Sequence, residues 1–60
     1  MTAYDAYRTA RLLAAEGYTD SDAVTTADMD MAAELSGAAR PASPDDRQTV
    51  RLAHDTITRH

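Results

Sequence analysis

Sixty residues make one domain, at a size where only about 60% of the unfolded chain's surface can be buried. With no cysteine, the disulfides and thiolate zinc sites that brace many small folds are excluded, and stability has to come from helix packing or from a partner. The formal charge is −4, no apolar run approaches the roughly 18 residues of a membrane span, and no charged start leads into an apolar signal segment; no membrane partner is expected, and a cytoplasmic location is.

The first element is announced by Thr2-Ala-Tyr-Asp5, a hydroxyl followed three residues later by an acid. In that pattern the hydroxyl accepts from the exposed N3 amide while the acid sits near the positive end of the helix dipole. It predicts a helix over 3–16, closed by Gly17 as a left-handed cap. At 100° per residue, Ala3, Ala6, Tyr7, Ala10, Leu13 and Ala14 share its apolar side, with Asp5, Arg8, Thr9 and Glu16 opposite. Residues 20–24 add a short turn of helix capped by Thr19 or Asp20, and Tyr18 and Val24 close the loop side of the core.

The same start signal recurs as Thr25-Thr-Ala-Asp28 and predicts a second helix over 26–36, ended by Gly37. Its core side is expected to carry Met31, Ala32, Leu35 and Ser36, with Met29 and Ala33 at the edge and Asp30 and Glu34 in solvent. Ala38 to Ser43, with Pro41 and small residues, reads as a connector. Ser43-Pro-Asp-Asp46 then starts a third helix, over 44–58; Pro44 at the first helical position lacks only an amide hydrogen that would have no partner there. Val50, Ala53 and Ile57 form its narrow apolar stripe. No β-branched or aromatic alternation lasts long enough for a strand, so the expected fold is all-α, a compact three-helix bundle.

Four aspartates fall in two Asp-x-Asp pairs, Asp20/Asp22 and Asp28/Asp30. An EF-hand loop needs oxygen ligands at its first, third, fifth, ninth and twelfth positions and Gly at the sixth. Counted from Asp20, the fifth, sixth and twelfth positions are Val24, Thr25 and Met31. The acids therefore read as helix starts, and no metal or cofactor is assigned.

Only His54 and His60 are candidates for acid/base work near neutral pH. His54 adjoins Asp55, but neighbours in a helix point about 100° apart and do not form the oriented pair of a nucleophilic mechanism. A zinc pair needs His at i and i+4, and that position holds Thr58. His54 is expected at the surface or the core edge, His60 is expected to fray, and no enzymatic activity is expected.

Nucleic-acid binding is the alternative reading. Residues 1–39 hold two Arg against seven acids, whereas residues 40–60 hold four Arg against three, and Arg47, Arg51, His54 and Thr58 fall on one stripe of the third helix. Against it, Asp45 and Asp46 occupy the first turn, the end that a helix-turn-helix reader points into the major groove. The connector is also longer than the turn of that motif.

Protein association is the favoured reading. The chain has thirteen large apolar side chains, with Phe and Trp absent, so its core is meagre. Leu12, between Arg8 and Glu16, and Leu52 lie off their helices' apolar stripes, and Tyr4 borders that of the first helix. Burying them against a second copy or another protein would supplement that core. The expectation is an acidic, noncatalytic adaptor or inhibitor, with a protein partner or as a homodimer. The exclusive use of Arg over Lys and the 13 Ala match a GC-rich coding sequence, as in a high-GC bacterium, its phage or its mobile elements.

Overall fold

All three expected helix starts are built as hydrogen bonds in the computed structural model, which describes residues 1–59 and so leaves His60 outside. The elements are α1 (Ala3–Ala15), α2 (Thr26–Leu35) and α3 (Pro44–Thr58), with one turn of 3-10 helix at Ser21–Ala23. Among the described residues there is no strand. The protein is a three-helix bundle in which α1 is the central element, packing extensively on both other helices, while α2 and α3 touch each other little.

Thr2 Oγ1 accepts from the Asp5 amide at 3.0 Å, Thr25 Oγ1 from Asp28 at 3.1 Å and Ser43 Oγ from Asp46 at 3.1 Å. Only at α2 is the box closed in both directions, the Thr25 amide donating to Asp28 Oδ2 at 3.0 Å. At α3 the Asp46 carboxylate reaches one residue further back and accepts from the Ala42 amide at 3.3 Å. Asp20 caps the 3-10 turn by accepting from Asp22 N at 3.0 Å. Two of the four paired aspartates thus spend their oxygens on backbone amides.

The two glycines end their helices in the same way. Gly17 (φ 97°) and Gly37 (φ 71°) take the left-handed conformation that a Cβ disfavours. Around Gly17, the Tyr18 amide reaches back to Leu13 O and the Gly17 amide to Ala14 O; around Gly37, Ala38 N reaches Ala33 O and Gly37 N reaches Glu34 O. This is the paired bonding of a Schellman motif, and after α1 it brings Tyr18 against the core beside Leu13.

The core consists of Ala6, Ala10 and Leu13 from α1, Val24 from the loop, Met29, Ala32 and Ala33 from α2 and Val50 from α3. Met1, Leu12, Tyr18, Ala53 and Ile57 pack partly against it. Three expectations about faces are corrected. On α1 the buried face is rotated toward Thr9, which is fully buried with its hydroxyl donating to Asp5 O at 2.8 Å, while Tyr7 is exposed. On α2, Met29 and Ala33 are central to the buried face, whereas Met31 and Leu35 stand in solvent at 62% and 65% exposure. On α3, His54 lies at 0% exposure, deeper than the half-buried Ala53 and Ile57.

The rotation of α2 has an identifiable cause. Met29, Ala32, Ala33 and Ser36 form one stripe at helical spacing, and Met31 and Leu35 belong to another about 140° away. Polar ties at both ends select the first. Tyr18 OH donates to Asp28 Oδ1 at 3.1 Å in the first turn, and the Arg8 guanidinium donates to Ser36 O at the last. The alanines then let the α2 backbone approach α1 closely.

Candidate protein-binding surface

Among the described residues His54 is the one imidazole, and it lies in the interior. Its Nε2 lies 2.9 Å from Tyr18 O, and because a carbonyl only accepts, Nε2 carries the hydrogen. In the neutral ring Nδ1 then accepts from the Ser21 hydroxyl, 2.7 Å away. A hydroxyl, an imidazole and an orienting carbonyl are also the parts of an activated nucleophile. Here, however, the ring has no exposed atom from which to pass a proton to a substrate. Both nitrogens join α3 to the segment between α1 and α2, and the group acts as a lock.

The same segment is tied a second time by Arg51, whose guanidinium donates to Val24 O at 2.9 Å. The stripe considered for phosphate contact is therefore largely committed inside the protein. His54 is buried, Arg51 is half-buried with a backbone partner, and Arg47 is half-buried. Of this stripe, His54 and Arg51 are the side chains bonded to the segment between α1 and α2.

Of the three residues expected at a protein interface, Tyr4 and Leu52 are exposed, at 68% and 57%. Leu12 is half-buried: it packs partly on the core and lines an open depression of about 310 Å³ with Arg8, Arg11, Ala15 and Ser36. Tyr4 stands beside this depression, because the Arg8 guanidinium lies 5.3 Å from its ring centroid, within cation–π range. Leu52, on α3, lines a polar cleft of about 250 Å³ whose walls include Asp20, Asp22, Arg51, Asp55 and Arg59.

The residues that sequence reasoning missed are Met31 and Leu35. They were assigned to the core, and the only available signal of the alternative was the second stripe through Met29 and Ala33. They stand one helical turn apart on the solvent side of α2, with Asp30 and Glu34 about 100° to one side and Glu34 paired with Arg40 at 2.8 Å.

The electrostatics of this end of the molecule centre on Asp28. The Thr25 amide bonded to its carboxylate, with help from the Thr25 and Tyr18 side chains, holds Asp28 below the usual carboxylate range. The same hydrogen bond and the carboxylate's charge push the Tyr18 phenol up. A carboxylate lowered by folding stabilises the fold above its unfolded value, about 4, and that contribution is lost as pH falls through the lower folded value. The phenol has the opposite sense, its contribution persisting below about 10 and vanishing as pH rises through the raised folded value. Thermal melts of Asp28→Asn between neutral pH and about pH 2 are expected to show a shallower acid-side decline than wild type. Parallel declines would mean that the charge of Asp28 is not coupled to folding.

Fold and surface together define a small acidic three-helix bundle bearing large apolar side chains in solvent, with no helix long and apolar enough to cross a membrane among the described residues. No family model, no curated protein and no solved structure matches the chain.

Proposed function

We propose that this protein is a noncatalytic binding module, an acidic helical adaptor or inhibitor that acts by docking on a protein. The observation that carries this reading is the inversion between inside and outside. Four of the thirteen large apolar side chains, Tyr4, Met31, Leu35 and Leu52, are more than half exposed, while three alanines and a threonine occupy fully buried core positions. Isolated exposed leucines are ordinary. In a chain with so little large apolar material, leaving these four outside weakens the fold unless a partner covers them.

The nucleic-acid reading loses its support, since two of its three candidate side chains are engaged with the backbone or with Ser21. A source in a high-GC bacterium, its phage or its mobile elements remains part of the proposal. The test is capture on the immobilised protein from a high-GC bacterial lysate, with and without nuclease, comparing wild type with Met31→Arg and Leu52→Arg. A nuclease-resistant protein that is retained by wild type and lost from either variant supports the reading. Retention that survives both substitutions, or that disappears with nuclease, overturns it.

A further inference from the structure

Ser21 stands where the internal lock meets the polar cleft. Its Oγ lies 2.7 Å from His54 Nδ1, and the residue is half-buried and lines the cleft of about 250 Å³. Tyr18 O, 2.9 Å from Nε2, fixes the hydrogen on that nitrogen and leaves the lone pair of Nδ1 to the hydroxyl. Every other hydrogen-bonded serine or threonine hydroxyl among the described residues meets only backbone groups.

We propose that Ser21 is a site of single covalent acylation, with His54 as its general base and an uncharged activated ester as the class of donor. The inference goes beyond the protein-binding reading and does not depend on it. In the step, Ser21 Oγ attacks the acyl carbon while its proton passes to Nδ1. The new bond joins Oγ to the acyl carbon, the bond to the leaving oxygen breaks, and that oxygen departs as an anion with the electron pair. Because the ring has no exposed atom, it cannot protonate a poor leaving group or activate a water in the closed structure. The donor therefore carries a leaving group that is stable as an anion, and the acyl group stays. An acylated oxygen has no hydrogen to give Nδ1, so the tie to α3 is lost, and the proton leaves for solvent as the segment opens.

The charge of the cleft selects the donor. Three carboxylates, Asp20, Asp22 and Asp55, line it against two guanidiniums, Arg51 and Arg59. Arg59 is paired with Asp55 at 2.9 Å, and Arg51 is bonded to Val24 O, whereas Asp20 and Asp22 have no ion pair among the described residues. The surplus is negative and disfavours an anionic donor.

The test treats the protein at neutral pH with p-nitrophenyl acetate, and separately with acetyl phosphate, and follows each site by peptide mass spectrometry. Both rates are scaled to that of a peptide of residues 18–24, which has the serine without the imidazole. With the neutral ester, Ser21 is expected to gain one acetyl group about a hundredfold faster than the peptide, and faster than Ser43, which is also half-buried but caps the Asp46 amide. The acetylated protein is expected to melt below the unmodified one. His54→Gln can keep both hydrogen bonds but has no basic nitrogen, so a slow reaction in this variant, shown folded by circular dichroism, marks His54 as a base and not only a brace. The comparison with the peptide and Ser43 uses wild type alone and is decisive whether or not the variant folds. Ser21 that reacts no faster than either, or a His54→Gln variant that reacts like wild type, overturns the proposal. Equal scaled rates with acetyl phosphate overturn the uncharged donor, and nitrophenolate release that continues past one equivalent at Ser21 overturns single acylation.

Discussion

His54→Ala is expected to remove about 3–4 kcal/mol of stability, the sum of a deleted buried ring and two unmatched polar groups. The ring is fully buried, and without it Tyr18 O and Ser21 Oγ lose partners at 2.9 and 2.7 Å. A domain of this length commonly has about 3–9 kcal/mol in total, so the variant is expected to be partly unfolded at room temperature. Urea unfolding followed by circular dichroism reads this directly. His54→Gln offers a control, because its amide can donate to the carbonyl and accept from the hydroxyl, and it is expected to recover part of the loss. Ser21→Ala removes one bond and is expected to cost about 1 kcal/mol, with a non-additive cycle against His54 marking the pair as coupled. Wild-type stability in His54→Ala would mean that the imidazole is not the lock between α3 and the loop.

Met29→Ala and Met31→Ala differ by two residues on one helix and are expected to differ in effect by about 2–4 kcal/mol. Met29 has 0% exposure and belongs to the buried cluster that holds Leu13, Val24, Ala32 and Val50, so its truncation leaves a cavity in that core. Met31 is 62% exposed, and its truncation is expected to change stability by no more than about 0.5 kcal/mol in the monomer. Thermal or urea unfolding of the two variants at low protein concentration gives the comparison. Equal losses, or a larger loss at Met31, would mean that α2 is rotated from the orientation described. The same pair separates folding from binding, since Met31 is placed to affect association and Met29 to affect the fold.

Helix boundaries were legible because their causes are local. A hydroxyl at N-cap, an acid three residues on and a glycine after the last turn act through hydrogen bonds spanning a few residues, so Thr2, Thr25, Ser43, Gly17 and Gly37 mark ends that agree with the structure to within one residue. Helix faces were less legible. On α1 and α2 small and apolar residues surround much of the helix, and periodicity alone gives two directions of similar merit. On α2 the decision came from Tyr18 and Arg8, which lie 10 and 28 residues away from the groups they bind.

The candidate surface divides along the same line. Leu52 was readable as exposed because it departs from the stripe of its helix and Tyr4 because it borders one, while Leu12 departs similarly yet is half-buried against the core. Met31 and Leu35 became visible as surface only once the rotation of α2 was known. His54 was unreadable for a related reason: a lone histidine beside an apolar stripe has no local feature that says whether both ring nitrogens will find partners.

Composition and capping alone determined that the chain is all-helical, acidic, free of disulfides and divided into three helices with these ends, because each of those properties depends on residue type or on contacts within one turn. Only the tertiary structure decided which side of each helix is buried, that His54 and Arg51 are internal ties, and that Met31 and Leu35 stand in solvent. Those outcomes depend on polar contacts between segments distant in sequence, whose geometry exists only after the helices have packed.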